Sequence, residues 1–171
     1  MTIACSTIGL SLNAAAALSG RSVRTWQRRV EEGAVQRLAD GRALVPADAL
    51  QPLVLAALSA GELQWLEPAD SGDARAQAQV GALLALSALQ PGDHGEHDER
   101  AGACLVQAAL YFLEQAAQQG EADAMHWLGL LHAAGLCGDA AGEALALMWL
   151  ARAATHGHAL AREQLAGLMP R

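Results

Sequence analysis

The sequence predicts a mostly α protein in two dissimilar parts: a small winged helix-turn-helix with a short β-hairpin wing, joined to a short α-helical repeat solenoid. Three observations carry this reading. Hydrophobic residues make up 53% of the chain but aromatics only 4%, so alanine supplies much of the apolar share. Alanine has the highest helix propensity, whereas strands favour β-branched and aromatic side chains. The charge is also divided: residues 1–46 hold six arginines against three acids, and the other 125 residues hold five arginines against fifteen acids. Such asymmetry implies parts with different partners. Finally, segments of the last hundred residues align with one another in register, as helical repeats do.

The chain opens without charge, yet a secretory signal needs basic residues before its apolar core, and the first arginine is Arg21. Ser6, Thr7, Ser11 and Asn13 also dilute the apolar run, so a cytoplasmic protein is expected. No stretch approaches the roughly 20 apolar residues of a membrane span. Cys5, Cys104 and Cys137 are odd in number and lack CxxC spacing, which argues against a disulfide framework or a zinc site.

Ser11 is placed to cap a first helix from Leu12 to Leu18, with Leu12, Ala15, Ala16 and Leu18 available for its inward face. Gly20 suits a turn, and Ser22 can cap a second helix from Val23 to Glu32. Val23, Trp26 and Val30 share one face of that helix. Arg24, Thr25, Gln27 and Arg28 fall on or beside the other, and Gly33 can end it. Two short helices around a glycine turn, the second presenting arginine and glutamine near its start, have the layout of a DNA-reading helix-turn-helix. Asp40-Gly41 then marks a hairpin between two short runs, flanked by Arg37 and Arg42. Pro46 is expected to open a helix that runs to Gly61 and breaks near Pro52. Residues 1–60 thus read as a winged helix-turn-helix domain.

Residues 10–50 resemble the MerR and excisionase-like winged-helix superfamily. "LSGRSVRT" is similar to the turn and recognition-helix start of MerR-type regulators, while "RRVEEGAV" followed by "DGRALVPADAL" is similar to the excisionase branch. The resemblance implies that Ser22, Arg24, Thr25, Gln27 and Arg28 face the major groove or adjacent phosphates. It also implies that Arg37 and Arg42 on the wing touch backbone or minor groove. Arg28 and Arg29 stand where MerR-type proteins carry paired aromatics, and their long dimerising helix is lacking, so metal or small-molecule sensing is not implied. The plain alternative is a solvated arginine face with Arg28 paired to Glu32 at i and i+4, worth about 0.3–0.5 kcal/mol.

Residues 61–73, "GELQWLEPADSGD", read as a linker. Beyond them "DARAQAQVGALL", "EADAMHWLGLLH" and "HALAREQLAGLM" align on Ala76, Ala124 and Ala161, with Gly81, Gly129 and Ala166 five residues later. A second helix type recurs: Ala109, Phe112, Ala116 and Ala117 before Gly120 match Ala146, Trp149, Ala153 and Ala154 before Gly157. Small residues in register permit close helix approach, so residues 74–171 read as two helix pairs plus a terminal helix. The spacing Ala146-x-x-Trp149-x-x-Arg152-Ala153-Ala154-x-x-Gly157 resembles Sel1-like repeats, relatives of the tetratricopeptide repeat. That resemblance implies an adaptor that holds a protein partner on a concave surface. Apolar surface at an open end also makes self-association, including a homodimer, an expected outcome.

Asp93, His94, Glu96, His97, Asp98 and Glu99 crowd the 91–100 loop, which reads as a solvated acidic insertion, since His-x-x-His without two further fixed ligands is a weak metal signal. His126, His132, His156 and His158 occupy helix or turn positions where partly buried or capping histidines are ordinary. Trp65, Trp127 and Trp149 read as core or linker residues, and Cys137 has no basic neighbour to activate it. No phosphate-binding glycine loop or nucleophile elbow occurs. No catalytic residue, metal or cofactor is therefore expected, and the chain does not read as an enzyme. The expected function is a DNA-binding transcriptional regulator that contacts duplex DNA through residues 20–45 and a protein partner, or itself, through residues 74–171. The alternative is an interaction adaptor or scaffold that binds no DNA.

Overall fold

The computed structural model describes residues 8–35, 43–47, 58–59, 61–90, 99–138 and 140–168, and it is mostly helical. In α1 (Leu12–Ser19) the Ser11 hydroxyl accepts from the Ala14 N–H at 3.2 Å, and Gly20 at φ 63° ends the helix. In α2 (Val23–Glu31) Ser22 repeats the arrangement with the Thr25 N–H at 3.2 Å. Gly33, at φ 75°, takes the left-handed conformation just past that helix, where a β-carbon would be strained. The buried face of α1 is Ala14, Ala15 and Leu18; Leu12 and Ala16 are only half-buried. Trp26 is fully buried beneath α2, and its indole Nε1–H donates to Ser19 Oγ at 3.1 Å.

The sheet among the described residues is a different pairing from the expected hairpin, whose turn lies outside them. Strand β1 (Gly9–Leu10) pairs antiparallel with β2 (Val45–Pro46), Gly9 opposite Pro46 and Leu10 opposite Val45. Pro46 ends this strand, which a two-stranded edge tolerates because no further ladder needs its missing N–H, and the helix expected to follow it falls largely on residues outside those described. Gly9 fits because a β-carbon there would lie 2.8 Å from Leu44 Cδ1. The Asp40-Gly41 turn, Arg37, Arg42 and residues 48–57 lie outside the described residues.

The segment that reads as a linker in the sequence is an ordered part of the fold. A 3-10 turn (Leu63–Trp65) runs into α3 (Leu66–Asp70), which buries Leu66 and Ala69. Its proline does not break it: Pro68 sits in the first turn of α3, where an absent N–H costs nothing. Asp70 reaches back to the start of α1 and accepts from the Ser11 N–H at 2.6 Å and the Ser11 hydroxyl at 2.5 Å. The capping serine of α1 is thus itself held in place.

Five longer helices follow: α4 (Ala74–Leu89), α5 (Glu99–Gln118), α6 (Ala122–Ala133), α7 (Gly142–Thr155) and α8 (Ala159–Leu168). Helix α4 packs chiefly on α5 and α6 chiefly on α7, with α5 against α6 and α7 against α8 joining the pairs. Glycines in register allow the close approach within each pair. A β-carbon on Gly81 would lie 2.6 Å from Leu113 Cγ, and one on Gly129 would lie 3.1 Å from Leu150 Cγ.

Five helix ends among the described residues close alike, those of α2 and α6 around Gly33 and Gly135 and three more. The N–H of Asp73, Glu121 and His158 each reaches the carbonyl five residues back, on Pro68, Ala116 and Ala153, around Gly72, Gly120 and Gly157 at positive φ. This is the Schellman closure, and it places the end of α3 in register with the ends of α5 and α7. A buried polar chain ties these elements together: Gln77 Nε2 donates to the Ala69 carbonyl at 3.0 Å and Gln119 Nε2 donates to Gln77 Oε1 at 2.8 Å. Helix α1 also packs on α5, with Gly20 against Cys104, so one hydrophobic core runs from Leu10 to Ala161. No helix among the described residues is long and apolar enough to cross a membrane.

Candidate nucleic-acid interface

Burial of Trp26 fixes which face of α2 meets solvent. Arg24, Gln27 and Arg28 project outward, Ser22 is exposed at the cap and Thr25 is half-exposed. Together with Glu31 these residues line one shallow groove of about 470 Å³. Five of the seven residues that the sequence singles out are thereby brought to one surface, and the other two, Arg37 and Arg42, lie outside the described residues.

The groove is not uniformly basic. Arg28 Nε sits 3.4 Å from Glu32 Oε1, with 70% and 60% of the two side chains exposed, so the pair is solvent-screened and weak. Arg29 turns the other way and lies 5.1 Å over the Trp26 ring, covering it and not facing the groove. Arg24 makes no ion pair with a described residue. Ser22 Oγ and Thr25 Oγ1 lie 2.9 Å apart, a pairing that orders the first turn, whose backbone N–H groups form the positive end of α2.

A second cavity of about 690 Å³ adjoins the first, shares Gln27 and Glu31 with it, and is edged by Glu67 and Asp70. These acids repel a phosphate backbone, so only the side of α2 bearing Ser22, Arg24 and Arg28 suits an anion. Sequence reasoning misses Glu67 and Asp70 because it assigns them to a linker. The aspartate's only local sign is a carboxylate near a helix end.

Helices α4 and α6 line a separate groove of about 610 Å³, with Arg75, Glu121 and Asp123 at the helix starts and Leu86 and Trp127 further along. Half-buried Cys104 has its thiol pushed up by desolvation, which keeps it protonated and poorly nucleophilic. No cluster of three metal-ligating side chains exists among the described residues, and the 91–98 insertion lies outside them. No protein-family model, curated protein or solved structure matches the chain.

Proposed function

We propose that the chain is a DNA-binding regulator in which α2 enters the major groove while the helical array engages a protein partner. One observation carries the reading: Ser22, Arg24, Thr25, Gln27 and Arg28 share one exposed groove on a capped helix anchored from behind by Trp26. Guanidinium groups make bidentate contacts to guanine or phosphate, and a glutamine amide can do the same to adenine. On this reading the Sel1-like array receives an apolar, basic segment in the groove edged by Leu86, Trp127, Glu121 and Asp123. A partner is also needed on energetic grounds. A lone small module makes few phosphate contacts, and nonspecific affinity of about 10⁻⁴–10⁻⁶ M selects no site by itself.

A gel-shift titration of the full chain against duplex fragments tests this. Retardation that disappears in Arg24→Ala/Arg28→Ala supports it, and equal retardation by that variant removes α2 from the interface. The adaptor reading, without DNA, is favoured by the acids around α2: Glu31 lines the groove, Glu67 and Asp70 edge the adjoining cavity, and Arg28 is already paired with Glu32. Complete absence of retardation at low salt selects it.

A further inference from the structure

The start of α8 rests on two histidines. His158, at the N-cap position, accepts the Ala161 N–H on its Nδ1 at 3.1 Å, so its proton resides on Nε2, which points at Asp123 Oδ1 3.5 Å away. Its ring stacks on that of His126 in α6, centroids 4.2 Å apart and planes inclined by 21°. His126 is 6% exposed and its Nε2 meets Gln164 Oε1 of α8 at 2.9 Å. Contacts that hold α8 against α6 therefore pass through two imidazoles, one of which caps Ala161 only while its Nδ1 carries no proton.

We propose that the His126–His158 stack is an acid-released latch, which holds α8 on the array near neutral pH and frees it as the pH falls below about 6. Protonating His158 puts a hydrogen on Nδ1, which turns the acceptor of the Ala161 N–H into a second donor and removes the cap. Protonating His126 places a charge inside the core and against a second ring. Burial already holds His126 below the usual histidine range, the neighbouring His158 adds to this, and the Gln164 bond and Asp123 act in the opposite sense.

Of the charged groups on the packed elements, one carboxylate favours the charged pair, from a position largely screened by solvent. Asp123, from α6, is the carboxylate that acts on His126, and its side chain is 77% exposed. Helix α7 brings Arg152, stacked on Trp149 at 4.6 Å, and His156, whose Nδ1 meets the Arg152 carbonyl at 2.9 Å. Helix α8 itself brings Arg162 and Glu163, both exposed.

The sign follows from the lowered value. Released α8 leaves His126 in solvent, with an ordinary value near 6.5, so the released state binds protons more readily there. Docking is complete above about 6.5 and weakens as the pH falls through that value toward the lower one of the docked state. Release uncovers His126, Ala161 and the half-buried Leu165 at the end of the array.

Amide-exchange protection factors of the full chain at about pH 7.5 and about pH 5.5 test the latch across the histidine range. Residues 159–168 are expected to lose protection at the lower pH, while α5 keeps its own. The double variant His126→Gln/His158→Asn, which caps and hydrogen-bonds without titrating, is expected to keep α8 protected at both values. Unchanged protection in the parent chain, a parallel loss in α5, or a parent-like loss in the double variant overturns the proposal. If the double variant does not fold, the ring-proton NMR titration of the parent decides. A His126 midpoint below about 6.5 supports the latch, and one at or above it refutes the latch.

Discussion

Three glycine-to-alanine substitutions in the helical array separate close helix approach from simple helix propensity. Alanine favours a helix interior over glycine by about 1 kcal/mol wherever its methyl finds room. At Gly81 it finds none: the added carbon lies 2.6 Å and 2.7 Å from Leu113 Cγ and Cδ2, and 3.2 Å from the Leu113 backbone nitrogen, which cannot swing away. Overpacking of this kind costs about 1–3 kcal/mol, so Gly81→Ala is expected to lose up to about 2 kcal/mol net. Gly129 occupies the same register in α6, but its clash is with side-chain atoms of Leu150 at 3.1 and 3.2 Å. A few tenths of an ångström relieve it, and Gly129→Ala is expected to change stability by less than about 1 kcal/mol. Nothing lies within 4 Å of a β-carbon on Gly102 in α5, so Gly102→Ala is expected to gain about 0.5–1 kcal/mol. Urea unfolding followed by circular dichroism, with m-values compared, ranks the three. In a Leu113→Ala background the Gly81→Ala penalty is expected to shrink, because Cγ and Cδ2 are gone and only the backbone nitrogen still opposes the added carbon. A Gly81→Ala protein as stable as Gly102→Ala, or a penalty unchanged by Leu113→Ala, refutes the close-approach argument.

The N-terminal third gives three further tests. Trp26→Ala empties a fully buried site and is expected to cost about 3–5 kcal/mol in thermal or urea unfolding. Asp70→Ala removes two charge-assisted hydrogen bonds to Ser11 and is expected to cost about 1.5–3 kcal/mol, with exchange protection weakened first at the start of α1. Glu32→Ala costs less than about 0.5 kcal/mol of stability, yet it releases Arg28 and is expected to tighten duplex binding about twofold in an anisotropy titration.

Features fixed by neighbouring residues are legible in the sequence. Ser11, Ser22, Gly20 and Gly33 act at short range, and each does locally what its side chain or its lack of one dictates. The starts of α4, α6 and α8 at Ala74, Ala122 and Ala159 follow the aligned register, because the same closure recurs at each preceding turn. The groove residues of α2 are legible for the same reason: the burial of Trp26 dictates which side chains a 3.6-residue period turns outward. Long-range pairing is not legible. Nothing local in Val45–Pro46 says that its partner strand is Gly9–Leu10, and nothing in "EPAD" says that Asp70 holds Ser11 across 59 residues. The His126–His158 stack likewise joins two ordinary-looking histidines that only the fold brings together.

Salt dependence decides whether the arginine face of α2 meets DNA phosphates and base edges. Duplex binding by the full chain is compared with that of Arg24→Ala/Arg28→Ala in fluorescence anisotropy over a series of salt concentrations. For the parent chain, log K is expected to fall linearly with log salt concentration. In the double variant the slope is expected to be shallower by about 0.9 for each phosphate that the missing guanidinium groups no longer neutralise. Binding that ignores salt, or a double variant whose slope matches the parent, contradicts a DNA-reading role for α2.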